Sequence, residues 1–157
     1  MLAIYLNDHL AGATAAVALA RRAASSNRRS RYGPFLEDLA AEIAHDRESL
    51  LKIMRALGVG VDRLKVLGGW WTEKLGRLKL NGRLVGYSPL SRLVELEVLL
   101  LAVEGKLALW RSLAQVERSV PRLEGFDFAM LMKRAEEQLA GVERERLRAA
   151  ADAFGEG

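Results

Sequence analysis

SPLSRLVELEVLLLAVEGKLALWRSLAQVE, residues Ser88 to Glu117, is the stretch whose reading decides the fold. Ser88 and Pro89 supply an N-cap followed by proline at the first helical position. From Leu90 onward, Leu93, Val94, Leu96, Val98, Leu99, Leu100, Leu101, Val103, Leu107, Leu109, Trp110 and Leu113 cover almost every side of one long helix. A helix that is apolar all round is a buried one. At about 100° per residue, Glu95 and Lys106 fall together and read as a narrow wet edge. Glu97 and Glu104 fall on the opposite side, in line with Leu90, Leu93, Leu101 and Ala108. Two carboxylates are therefore expected to face the core, where each must be paired, protonated or metal-bound.

Upstream, Met1 to Ala24 is alanine-rich with helical periodicity: Leu2, Leu6, His9, Ala13, Ala16, Val17 and Ala20 share a face. A second strip, Ile4, Ala11, Ala15 and Leu19, calls for a cover from another element or another subunit. Ser25 to Gly33 reads as an arginine-rich turn. Pro34 opens a second helix that runs to Leu57 and stops at Gly58. Its apolar face holds Phe35, Leu36, Leu39, Ile43, Leu50, Ile53, Met54 and Leu57, with Asp46 inside that face, Glu42 at its border and His45 outside.

Between Gly58 and Tyr87, the steps Leu64, Leu67, Trp71, Leu75 and Leu78 predict an amphipathic helix of about 18 residues, nearly ~30 Å long. Asn81–Gly82 reads as a turn. Trp70 lies off the apolar stripe and is a candidate partner surface. The final helix is capped by Asp127, reaches Phe154, and has an apolar face of Phe128, Leu131, Ala135, Leu139, Val142, Ala149, Ala150 and Ala153, with Arg146 in its middle.

The 157 residues suit a single helical domain spanning 1–157. With no cysteine, disulfides, thiolate metal sites and cysteine nucleophiles are excluded. The net charge of +4 is uneven: Arg28, Arg29 and Arg31 cluster in the first turn, and 58–92 carries seven basic side chains against Asp62 and Glu73. Such connections are a candidate surface for an anionic partner, although no aromatic residue interleaves with the arginine run and nucleic acid is not the expected partner. The N-terminus lacks a basic n-region, and Ser88–Glu117 carries four glutamates, so neither a signal peptide nor a membrane span is expected, and the location is read as cytoplasmic.

Four long helices joined by short, long and short connections resemble the ferritin-like four-helix bundle, with a helical crossover between the second and third helices. The resemblance implies a di-iron or di-manganese centre built from one Glu on each of two helices and Glu-x-x-His on each of the other two. Here Glu42-Ile43-Ala44-His45 matches literally, although His45 projects roughly 140° from the apolar face. His9 stands where the family has Glu, and Glu143-x-x-Arg146 where it has Glu-x-x-His. Arginine stays protonated and does not ligate a metal.

Helix heights, at about 1.5 Å per residue, put Glu97 with Arg146 in one layer and Asp46 with Glu104 in a second, with His9 beyond. The expectation is a buried polar network of Glu97, Arg146, Glu104, Asp46 and His9, with Arg146 reaching Glu97 first and Glu104 second. A non-catalytic bundle acting through association, dimer first and with the crossover tryptophans near the contact, needs no cofactor. The alternative is a metal-binding protein or metal-dependent oxidoreductase with one divalent metal (iron, manganese or zinc) held by His9, Asp46, Glu104 and Glu42.

Overall fold

A computed structural model describes residues 1–62 and 87–155. Among them the protein is all-helical: α1 spans Leu2–Asn27, α2 Gly33–Ala56, α3 Pro89–Val116 and α4 Phe128–Phe154, with two short 3-10 turns, Glu117–Ser119 and Pro121–Leu123, between α3 and α4. The expected helix over 64–78, the Asn81–Gly82 turn, Trp70 and Trp71 lie outside the described residues.

The ends follow their local chemistry. Ser88 Oγ accepts the Ser91 N–H at 3.1 Å, and Pro89 sits at the first helical position. Asp127 Oδ1 accepts the Met130 N–H at 2.8 Å. Gly58 follows α2 at φ +72°, a left-handed backbone natural for glycine after a helix. α1 continues through Ser25 and Ser26 to Asn27, past the expected stop, because Asn27 is buried and fully used. Its Nδ2 donates to Ala23 O (2.8 Å) and to the Tyr87 hydroxyl (2.6 Å), while Oδ1 accepts from Arg92 Nε (2.6 Å).

Those contacts also set the topology. Asn7, near the start of α1, donates from Nδ2 to Gly60 O (3.0 Å) and accepts the Asp62 N–H on Oδ1 (2.7 Å). The chain thus leaves α2 at the end where α1 begins and enters α3, through Tyr87, at the end where α1 finishes. Asn7 and Asn27 are about 30 Å apart along a helix that rises 1.5 Å per residue. Helices α2 and α3 therefore run parallel, α1 and α4 run against them, and the 63–86 connection joins opposite ends of the bundle.

Helix α1 packs on α2 and α3, and α3 packs on α4. The core joins Leu6, Leu10, Val17 and Ala20 of α1, Leu36, Ile43, Leu50 and Ile53 of α2, Leu96, Leu99, Val103 and Trp110 of α3, and Phe128, Leu131, Ala135 and Val142 of α4. The second strip of α1 finds its cover at Ala11 and Leu19, while Ile4 remains exposed. α2 also meets α4, where Gly141 lets the Phe35 ring approach: a Cβ there would lie 2.8 Å from Phe35 Cε2. Among the described helices, α1 is long and apolar enough to cross a membrane.

The face of α3 is the reverse of the expected one. Leu93, Leu96, Leu99, Val103, Leu107, Trp110 and Leu113 are buried, together with Glu95. Leu90, Glu97, Leu101 and Glu104 face outward, Leu101 at 63% exposure. The supposed wet edge is thus packed into the bundle, and the supposed inward carboxylates are in solvent.

Candidate functional site

The polar centre of the bundle is built on Asp46. In α2 the inward positions step by three and four through Leu36, Leu39, Ile43, Asp46, Leu50 and Ile53, and all are buried. This spacing carries the Asp46 carboxylate into the core, where the residue is 2% exposed. Its oxygens are divided among three partners from two other helices. Lys106 of α3 donates from Nζ to Oδ2 at 2.5 Å. Arg134 of α4 donates from Nη2 to Oδ1, and Gln138 of α4 donates from Nε2 to Oδ2 at 3.1 Å. Gln138 also donates to Glu42 (2.9 Å) and accepts from Lys106 on Oε1, so one amide ties the three helices together.

Burial pushes the Lys106 ammonium below its ordinary pKa, and the adjoining Asp46 opposes that shift without cancelling it. Asp46 thus meets two cations directly, with Glu42 as a second carboxylate behind Gln138. A divalent ion at Asp46 would have to displace Lys106 and Arg134 and add its charge to theirs. The donor set does not suit a metal. The expected metal ligands do not converge either: Asp46 is buried, Glu42 is exposed beside it, His9 is half-buried on α1, and Glu104 lies outward on α3. No group of three or more His, Asp or Glu side chains placed to hold a metal occurs among the described residues.

The other expected pair, Arg146 with Glu97, forms, but at the surface and not in the core. Arg146 is held by its own neighbour Glu143, at 2.6 and 2.8 Å, with Glu97 farther off at 3.7 Å. All three rim an outer groove between α3 and α4 that also contains Glu104, so this is a surface cluster and not a core pair. The inward residue on that turn is Glu145, which accepts from Arg148 at 2.9 Å and from Arg144 at 3.1 Å. A second relay, built around the buried Glu95 and Asn27, closes the end of the bundle. The Tyr87 hydroxyl donates to Glu95 Oε2 at 2.8 Å, Arg22 reaches Glu95 Oε1 at 2.9 Å, and Arg92 reaches Asn27. Burial, followed by the Glu95 charge, pushes the Tyr87 phenol far above its usual range.

Lys106, Arg134, Gln138, Glu95 and Glu145 are the participants missed by sequence reasoning. The signal for two of them is the spacing of α4: Phe128, Leu131, Ala135, Gln138, Val142, Glu145 and Ala149 alternate steps of three and four without a break. Of the candidate partner residues, Arg28 and Arg29 are exposed in the first turn, while Arg31 is tied to Asp152 at 2.6 Å.

Beside Asp46 and Lys106, a cavity of about 230 Å³ opens between α1, α2 and α3. Its wall is mostly apolar, with Tyr5, His9, Asp46, Lys106 and Trp110 among its polar or aromatic members. His9 packs edge-on to Tyr5, with ring centroids 4.5 Å apart, and its burial lowers its pKa against the pull of Asp8.

No family model, curated protein or solved structure matches this chain.

Proposed function

We propose that this chain is a ferritin-like bundle that has exchanged metal chemistry for a charge-paired core, and that it works by association, without catalysis. The up-down-down-up order of the helices and the end-to-end connection between α2 and α3 support the ferritin-like reading. One observation carries the rest: the inward carboxylate of α2 is saturated by Lys106, Arg134 and Gln138. In the ferritin-like centre, carboxylates and histidines from four helices leave lone pairs for two metal ions. Here the same middle layer supplies N–H donors. Such a layer fixes the register of three helices, because any slip would leave a buried charge unpaired.

Elemental analysis of untagged protein purified without chelator is the test. The expected result is less than a tenth of an equivalent of iron, manganese or zinc per chain, unchanged after dialysis against each ion. A stoichiometric metal that is lost in Asp46→Asn would overturn the reading. The partner in this proposal is a second copy, seated on the outward strip of α3 marked by Leu90 and Leu101, which are 50% and 63% exposed.

A further inference from the structure

The cavity beside the charge-paired layer has an apolar body and a polar end at Lys106. At about 230 Å³ it is larger than the ~150 Å³ engineered apolar cavity known to accept benzene. Ala13 of α1, Ile43 and Leu50 of α2, and Val103 and Leu109 of α3 give it an apolar wall. Two donors on that wall are not fully used. An ammonium has three N–H bonds; Lys106 spends two, on Asp46 and Gln138, and one remains. Trp110 is 1% exposed and lines the same cavity, and its indole N–H has no acceptor. The acceptors of Asp46 are already taken by Lys106, Arg134 and Gln138.

Lys106 is the cation the layer presents to the cavity: its companions Arg134 and Glu42 belong to the same network but do not line the cavity. Of the other charged residues lining the cavity, Asp8 is exposed, and Arg47 is engaged by Glu48 at 2.8 Å and by Thr14 at 3.0 Å. A buried donor beside an ammonium with an N–H to spare is matched by an anionic acceptor, and a charge-assisted hydrogen bond there is about twice as strong as a neutral one. Pockets of this type, apolar with a few convergent polar groups, are the usual form of small-molecule sites.

We propose that the cavity binds a compact organic monoanion, a carboxylate on a single ring or short hydrocarbon body, with the carboxylate on Lys106 and the body among Ala13, Ile43, Leu50 and Val103. Lys106 supplies charge and one donor, Trp110 a second donor within the same wall. The proposal stands independently of the ferritin-like reading, since it requires only the three helices that surround the cavity.

Calorimetric titration of the full chain with benzoate, and with benzamide as its uncharged counterpart, tests the proposal. One benzoate site per chain is expected, with benzamide at least tenfold weaker. Two variants place the site. Gly105 borders the cavity, and a Cβ added there meets nothing within 4 Å, so Gly105→Leu extends into open space on a helix that prefers leucine to glycine. It should retain or raise the melting temperature and abolish binding of benzoate. Lys106→Met should remove the preference for benzoate over benzamide; should that variant not fold, Gly105→Leu decides alone. The proposal fails if neither probe binds at millimolar concentration, if the two bind equally, or if Gly105→Leu binds benzoate as the native chain does.

Discussion

Lys106 Nζ lies 2.5 Å from Asp46 Oδ2, joining two helices that run parallel at the centre of the bundle. Their side chains are 13% and 2% exposed, and Arg134 approaches the other carboxylate oxygen from α4. The pair is worth more as a specification of register than as stabilisation. Two ions taken from water recover their desolvation cost only through well-placed partners, and Gln138 supplies the remaining hydrogen bonds.

Removing the carboxylate alone should therefore be costly. Asp46→Ala leaves Lys106 and Arg134 facing each other without a counter-charge and is expected to destabilise by about 3–5 kcal/mol. Replacing all three charges together, as Asp46→Leu with Lys106→Met and Arg134→Met, should recover most of that loss, since packed apolar groups can stand in for a buried ionic cluster. Denaturant melts of both variants are the measurement. A single variant within about 0.5 kcal/mol of the native chain would mean the layer is solvated.

Arg146 provides the contrast. Its partners Glu143 and Glu97 are 42% and 49% exposed, and such pairs lose most of their strength to solvent. Arg146→Ala should leave the melting temperature unchanged. Glu145→Ala, one residue away but buried, should lower it by empty space and by freeing Arg148 and Arg144 from their shared acceptor. If the two variants behave in the opposite order, the face of α4 has been misassigned.

These two helices show how far the sequence alone can be read. In α2 the three-four steps are unambiguous and carry Asp46 inward with its apolar neighbours. Ser88, Pro89, Asp127 and Gly58 mark helix ends through local chemistry, and each does so in the structure. In α4 the apolar Leu139 invites a register one residue late, which substitutes Arg146 for Glu145 and hides Gln138. In α3 the periodicity cannot choose a face, because leucine and valine surround the helix. The choice is made by partners distant in sequence: Arg22 draws Glu95 inward, and Asp46 draws Lys106. Sequence spacing places a charge on a face, but its counter-charge decides whether that face is buried.

His9 gives the bundle an acid sensitivity of defined sign. Burial lowers its pKa in the folded chain below the ordinary 6.5. Above that value the imidazole is neutral in both states and costs nothing. As pH falls below 6.5, the unfolded chain takes up the proton first, so stability declines until the folded form is protonated too. Urea midpoints measured from pH 7.5 to pH 5 should fall more steeply for the native chain than for His9→Asn. Parallel curves for the two would place His9 in open water.

The outward strip of α3 predicts the assembly. Leu90 and Leu101 lie about 20° apart around the helix axis at 100° per residue, so they form one stripe, with Glu97 and Glu104 on the same side. Under the proposed association this stripe is the surface that meets the second copy. In a symmetric dimer each stripe contacts its own copy, so one substitution acts twice. The native chain should sediment as a dimer at tens of micromolar. Leu101→Lys places two ammonium groups in the contact and should yield a monomer with unchanged helicity by circular dichroism. A native monomer would remove the dimer from the proposal. A Leu101→Lys dimer would move the contact off α3.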